Sequence, residues 1–134
     1  MIDEPQESFL DVDTSDAVEP KAVPAGELQV RILSGVIAIN KNGNPYFQPR
    51  FDIPSEPTSK DFTDYLGLPF PEMDEKQLNQ AKFKLDSFKR CFGIKKKKFT
   101  MDEIIGLTGW AILGLKEDQE YGEQNTIRKY ILPK

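Results

Sequence analysis

Apolar and polar residues alternate with a period of two in several parts of the chain, which is the pattern of β-strands with one buried face. Residues 28–39 (LQVRILSGVIAI) predict a long first strand, and residues 46–53 (YFQPRFDI) predict a second. A third strand is expected near residues 61–68. Residues 107–132 predict two further strands joined by a charged turn, so that strands open and close the folded part.

Between the third and fourth predicted strands the apolar period changes to that of an amphipathic helix. The helix is predicted over residues 72–92, and Gly93 follows as a C-terminal cap. Thr100 and Glu103 fit a capping box, which predicts a short helical turn over residues 101–105. The apolar stripe of the long helix recurs every three or four residues, at Leu78, Ala81, Leu85, Phe88 and Phe92.

Three features indicate where the strands turn or bend. Asn42-Gly43 favours a hairpin turn between the first two strands, because glycine and asparagine tolerate positive φ. Gly35 interrupts the alternation of the first strand and predicts a bulge or a sharp bend. Pro49 cannot donate a ladder hydrogen bond, so it predicts an edge or a bulge in the second strand.

The resulting order is β-β-β-α-β-β, which is the order of the OB-fold, a five-stranded Greek-key barrel. We therefore expect a mainly β protein, a β-barrel with one helix that closes its bottom. The core is expected to contain the phenylalanines of the strands and the helix, namely Phe47, Phe51, Phe62, Phe88 and Phe92.

The charge is distributed unevenly over the 134 residues, which carry 22 acidic and 18 basic side chains. Residues 1–20 hold seven of the acids and no base, which leaves residues 21–134 with 15 acids, 18 bases and a net charge of +3. Residues 1–24 are predicted to be an acidic, mobile arm, and residues 25–134 the OB-fold domain. The apolar pair Phe9-Leu10 leaves open whether the arm is a solvated tail or docks on a partner or on the domain.

Composition excludes most catalytic chemistry. The sequence has no histidine and one cysteine, Cys91, so it lacks the commonest general base and cannot form an internal disulfide or a thiolate metal cluster. We expect no enzyme activity, no cofactor, no metal site and a buried Cys91 thiol. The N-terminus does not have the form of a signal peptide, and no apolar run approaches the ~18 residues of a membrane span, so we expect a cytosolic protein.

The sequence resembles bacteriophage single-stranded DNA-binding proteins of the small OB-fold type. The resemblance covers residues 26–133, and its most distinctive part is residues 106–125, GLTGWAILGLKEDQEYGEQN. Shorter matching segments are Gly26–Leu28 (GEL), Asn42–Tyr46 (NGNPY), Tyr65–Pro69 (YLGLP), Lys84–Gly93 (KLDSFKRCFG) and Ile127–Tyr130 (IRKY). Many bacterial single-stranded DNA-binding proteins end in an acidic tail, whereas here the acidic segment is N-terminal.

The resemblance implies a protein of the infected host's cytoplasm that coats and protects single-stranded DNA, with little sequence preference, during phage replication or recombination. Replication or recombination proteins are further candidate partners, and a homodimer or higher oligomer stays open. The alternative is a protein-interaction or structural module on the same fold, since OB barrels also bind peptides and oligosaccharides. The modest charge of residues 21–134 gives that alternative weight.

Single strands are held by cations that follow the phosphates and by rings on which bases stack. The candidate cations are Arg31, Arg50, Lys95, Lys96, Lys97, Lys98, Arg128 and Lys129, and the candidate rings are Tyr46, Tyr65, Trp110, Tyr121 and Tyr130.

Strand alternation sorts these candidates by face. Tyr46 and Arg50 are expected on the polar face of the second strand, and Arg128 and Tyr130 on the polar face of the last. Trp110 has apolar neighbours, so the core is the favoured interpretation, with binding as the other. Tyr121 lies in the charged turn, where it could fold over a bound strand although its acidic neighbours disfavour phosphate contact.

Two charged segments have open roles. Residues 95–98 (KKKK) either contact phosphates or form a solvated loop whose charge favours the C-terminus of the preceding helix. The acidic arm could lie across the basic groove as a weak DNA mimic, or pair with a neighbouring subunit.

Overall fold

The computed structural model of the protein describes residues 10–133, so Phe9 and the other residues before Leu10, and Lys134, lie outside it. Within residues 10–133, six strands and two helices follow one another. Their bounds are β1 Gly26–Ile39, β2 Pro45–Asp52, β3 Phe62–Thr63, β4 Leu66–Gly67, α1 Glu75–Cys91, α2 Met101–Ile104, β5 Thr108–Asp118 and β6 Gly122–Tyr130. The prediction of a mainly β protein with one long helix is confirmed.

The six strands form one antiparallel sheet in the order β3-β2-β1-β5-β6, with β4 also paired to β2. The expectation of a closed sheet of five strands differs from this arrangement in two respects. The sheet is open, because β3 and β6 form no backbone ladder with each other within residues 10–133. There are six strands because the predicted third strand is divided into β3 and β4.

Pro49 explains that division. It lies in the interior strand β2, in regular register with β1 and between the residues paired with β3 and those paired with β4, so neither the predicted edge nor the predicted bulge is found there. The Pro49 carbonyl accepts a hydrogen bond from Asp64 N at 3.1 Å, so this residue faces the third strand with its hydrogen-bonding groups. Proline has no N–H to donate in return. The third strand therefore loses a ladder bond here and splits.

β1 pairs with β5 along its first half and with β2 along its second half. A bulge at Leu33, between the residues paired as Ile32↔Phe51 and Ser34↔Arg50, bends the strand near this change of partner. The bulge lies two residues before Gly35, the predicted position. Gly35 has another role, since a Cβ there would lie 3.0 Å from the Met101 side chain of α2.

α1 packs its apolar stripe against one face of the sheet. The Asp74 carboxylate accepts a hydrogen bond from Gln77 N at 2.8 Å, and the Gln77 side chain accepts one from Asp74 N, so a capping box begins the helix. Phe47, Phe51, Phe62, Phe88 and Phe92 are all buried, as predicted. Cys91 is buried beside them, and burial raises the pKa of its thiol to about 11.

Side chains and the segment before β1 bridge the gap between the edges of the open sheet. The Tyr130 hydroxyl of β6 donates to Asp64, between β3 and β4, at 2.6 Å. The buried Asn125 amide of β6 bonds both the N–H and the C=O of Val23 at 2.9 Å. The Lys60 ammonium donates to the Tyr121 and Glu123 carbonyls at 2.8 and 3.0 Å. Val23, part of the predicted arm, therefore belongs to the core.

Neither helix of the described chain is long and apolar enough to cross a membrane.

Candidate nucleic-acid interface

One face of the sheet points away from α1 and the core, and we call this polar, accessible side the outer face. Strand alternation assigns residues to it: Phe47 and Phe51 of β2, and Ile53 directly after it, are buried on the inner face, so the alternating Tyr46, Gln48, Arg50 and Asp52 point outward. The register extends the outer face across β1 through Arg31↔Asp52 and across β5 through Gln29↔Trp110.

Two tyrosines form a preassembled ring pair at one end of the outer face. Tyr46 and Tyr65 stack with ring centroids 4.8 Å apart and planes inclined by 20°. Asn40 orients this pair: its side-chain Oδ1 accepts the N–H groups of Asn42 and Asn44, and its Nδ2 donates to the Tyr65 hydroxyl at 3.0 Å. Tyr65 remains 45% exposed, so one ring face is available for stacking.

The two arginines of the outer face are each ion-paired with a neighbouring carboxylate. Arg31 contacts Asp52 at 2.5 Å through its terminal nitrogen, and Arg50 contacts Asp61 at 2.9 Å. The hydrogen bond from Arg31 to Asp52 raises the pKa of the Arg31 guanidinium. Both pairs are exposed, and such pairs contribute little net stability. A phosphate can therefore compete with these carboxylates for the guanidinium groups.

Trp110 lies at the opposite end of the outer face and is 49% exposed, so its interpretation as a core residue is wrong. Its neighbours Gly109 and Ala111 are the buried residues of this part of β5. A Cβ on Gly109 would lie 2.7 Å from Cys91 Sγ, which shows how tightly α1 packs on the inner side. The indole borders a shallow pocket of about 500 Å³ that Gln29 and Thr108 also line.

β6 contributes two cations to the outer face, but Tyr130 is not on it. Ile112 pairs with Lys129 and Leu113 with Ile127, so Arg128 is an extra, bulged residue. The bulge turns Arg128 and Lys129 outward together and returns Tyr130 to the core, where it is 5% exposed. The prediction that Tyr130 shares an exposed face with Arg128 is therefore wrong. Burial, followed by the charge of Asp64, raises the pKa of Tyr130 well above its usual 10.0.

The remaining candidates lie away from the outer face. Residues 95–98 follow α1 on the inner side of the sheet, since the adjacent Phe99 packs edge-on against the inner residue Phe47. Lys96 is bonded to Glu103, and that contact lowers the pKa of the Glu103 carboxyl. Tyr121 is exposed in the β5–β6 turn, which Asp118 organises by accepting the N–H groups of Glu120 and Tyr121. Those bonds lower the pKa of Asp118.

Sequence reasoning missed three residues that organise the outer face. They are Asn40, which orients Tyr65, and Asp52 and Asp61, which pair with the arginines. Period-two alternation places Asp52 on the same outward side of β2 as Arg50, so the sequence predicts the direction of the Asp52 side chain. The contact between Arg50 and Asp61 joins residues 11 positions apart across a loop, and no local pattern indicates it.

The structure brings together Arg31, Tyr46, Arg50, Tyr65, Trp110, Arg128 and Lys129 on one side of the sheet. The described residues contain no group of three or more side chains that could hold a metal ion. Comparison of the chain with protein-family models and with curated proteins finds no match.

Proposed function

We propose that the chain is an OB-fold protein that binds and protects single-stranded DNA, with little sequence preference, in phage DNA replication or recombination. The strand order supports the fold assignment. The first strand, β1, pairs with two partners, and α1 lies between the third and fourth strand positions. This arrangement is expected of an OB barrel. Side-chain bonds across the β3–β6 gap take the place of the closing backbone ladder.

The observation that carries the proposal is that three accessible rings share one face with cations. Tyr46 of the ring pair lies opposite Ala38 of β1, and Trp110 lies opposite Gln29 of the same strand. Ala38 and Gln29 are nine positions apart along β1. At about 3.3 Å per residue, less the bulge, this corresponds to roughly 25–30 Å along the strand. Arg31 and Arg50 lie between the two ends.

Little sequence preference follows from the same arrangement. Stacking on a ring is tolerant of sequence because every base has a π-face, and each stacked base contributes about 1–3 kcal/mol by alanine substitution. Phosphate contacts from Arg31, Arg50, Arg128 and Lys129 also carry no direct sequence information.

The experiment is a fluorescence titration with oligothymidine, since Trp110 is the single tryptophan and lies on the proposed surface. We expect quenching and an affinity that falls steeply between about 50 mM and about 200 mM salt. Tyr65→Ala should weaken binding roughly 5- to 150-fold, the equivalent of one stacked base. Tyr65→Phe is the matched control, because it keeps the ring and removes only the hydroxyl that Asn40 Nδ2 contacts. Absence of saturable, salt-dependent binding would refute the proposal.

A second function is favoured by the ion pairs themselves. Asp52 and Asp61 neutralise two arginines of the outer face, which suits a protein or peptide partner better than a polyanion. In that case oligothymidine fails to quench Trp110, while pull-down with the immobilised protein retains a host or phage protein that the Tyr65→Ala variant loses.

A further inference from the structure

An apolar groove of about 370 Å³ lies between α1 and the free edge of β6. Its apolar walls are formed by Phe83 of α1 and by Ile127 and Leu132. Phe83 is 68% exposed, although it occupies the middle of a helix whose other large apolar side chains face the core. Phe83, Ile127 and Leu132 together form a contiguous apolar patch beside an edge strand, and such patches are typical of interaction sites.

Two cations of the groove are available to a negatively charged occupant. Arg128 and Lys129 line it, and neither has a carboxylate within ion-pair distance among residues 10–133. Lys84, also in the lining, already contacts Asp64 at 3.6 Å and the Tyr65 carbonyl at 2.9 Å. The groove is therefore complementary to a segment that combines apolar and acidic side chains.

Such a segment exists in the same chain, in the arm that precedes β1. Leu10 and Val12 are 83% and 66% exposed, and Asp11 and Asp13 alternate with them. In an extended conformation the two apolar side chains point to one side and the two carboxylates to the other. Ser15 N donates to Asp13 and lowers its pKa, so this carboxyl is ionised at neutral pH.

We propose that residues 10–13 bind in the groove between α1 and β6 of their own chain, with Leu10 and Val12 against Phe83 and Ile127, and the two aspartates beside Arg128 and Lys129. The undocked arm of the structure is then the open form of an intramolecular equilibrium.

The length and attachment of the arm permit this contact. The arm leaves the domain at Lys21, which forms a bridge with Ser59, and at Val23, which Asn125 holds. From Asn125 to Lys129 is four positions along β6, or roughly 13 Å. Eleven positions separate Leu10 from Lys21, and an extended chain of that length spans about 36 Å. A short tether gives an effective concentration in the millimolar range, which favours the chain's own arm over that of a second copy.

Docking would also withdraw Arg128 and Lys129 from the outer face. If the proposed function holds, the arm then competes with DNA for these two cations. The docking itself does not depend on DNA binding, so it is tested without DNA.

The experiment places a nitroxide at the arm in the full chain, through Thr14→Cys, and records amide signals of the isotope-labelled protein. Cys91 does not interfere, because it is buried and its thiol pKa of about 11 keeps it protonated near neutral pH. We expect selective loss of amide signal at Phe83, Ser87 and residues 127–130, and recovery of that signal at high salt.

Two matched variants test the chemistry of the contact. Arg128→Glu should restore the lost signals, whereas Lys116→Glu, a cation of β5 outside the groove, should leave the loss unchanged. Phe83→Ser should also restore the signals without unfolding the chain, since Phe83 is mostly exposed.

Mixing spin-labelled, isotope-free protein with isotope-labelled protein that lacks the spin label separates the alternatives. Signal loss in that mixture would mean that the arm of a second copy is the occupant, and would overturn the intramolecular proposal. Unchanged signals at the groove in every sample would overturn it as well. Signal loss in the chain that carries both the spin label and the isotopes, together with weak or absent oligothymidine binding, would retain the docking and reject the DNA-binding function.

Discussion

The Tyr130 hydroxyl donates a hydrogen bond of 2.6 Å to the Asp64 carboxylate, which joins the two edges of an open sheet. Tyr130 comes from β6, at one edge, and Asp64 lies between β3 and β4, at the other. The Asp64 side chain is only 12% exposed, so water cannot easily replace the tyrosine.

Tyr130→Phe should therefore lower the free energy of unfolding by about 1–3 kcal/mol, because it removes the donor to Asp64 Oδ2, while Tyr65 N and Lys84 contact only the other carboxylate oxygen. Urea denaturation measures this change. Tyr121→Phe is the control, since the Tyr121 side chain is 62% exposed in a turn. Equal stability of the two variants would mean that the bond does not hold the edges together.

Gly109→Ala should destabilise the fold through overpacking. The added Cβ would lie 2.7 Å from Cys91 Sγ and 2.9 Å from the Cys91 carbonyl oxygen, so the end of α1 would have to move. Such overpacking typically costs about 1–3 kcal/mol. Gly67→Ala is the matched control, because a Cβ at that position would meet no neighbouring side chain or backbone within 4 Å. Thermal or urea unfolding of both variants tests this expectation. Similar decreases in their free energies of unfolding would contradict the packing argument.

Asp61→Asn should strengthen DNA binding if the proposed function is correct. The change removes the carboxylate 2.9 Å from Arg50 and releases the guanidinium for phosphate. We expect higher affinity for oligothymidine and a salt dependence steeper by about one unit, with the opposite effects for Arg50→Gln. Asp86→Asn provides the control, because it breaks an ion pair with Arg90 on α1, away from the outer face. An affinity of Asp61→Asn that equals or falls below that of the unchanged protein would contradict the proposed contact between Arg50 and the strand.

Stability should fall as the pH rises through about 9 to 11. The native pKa of Cys91 is about 11 instead of the ordinary 9.0, and that of Tyr130 lies well above 10.0. Above about pH 9 the unfolded chain therefore loses protons that the native chain retains, which favours unfolding. Urea denaturation at about pH 8 and about pH 10.5 measures the effect. Tyr130→Phe should show a shallower decline, and a stability that does not change with pH would contradict the burial of both groups.

The sequence predicts the elements well because each has a strong local signal. The capping box at Thr100 predicts α2, the stripe ending at Phe92 predicts α1, and the phenylalanines of β2 identify its buried face. These signals depend on residues close together in the chain, where spacing alone determines which side chains share a face.

The predictions are wrong where tertiary structure turns a side chain to a different face from the one that the local pattern predicts. Alternation misplaces Tyr130 because the bulge at Arg128 shifts the pattern by one residue, and bulges leave no mark on hydrophobicity. Apolar neighbours wrongly favour the core for Trp110. The small residues Gly109 and Ala111 on either side are the signal that marks the inward positions, since α1 packs closely on them.

The Asn125 amide also has a practical consequence for how the protein is produced. It holds the backbone of Val23 on both its donor and acceptor groups, and it donates to the Gly114 carbonyl as well. A fragment that begins at residue 25 would leave this buried amide with two empty positions and would remove a buried valine. Shortened versions for crystallisation or fusion should begin no later than Lys21.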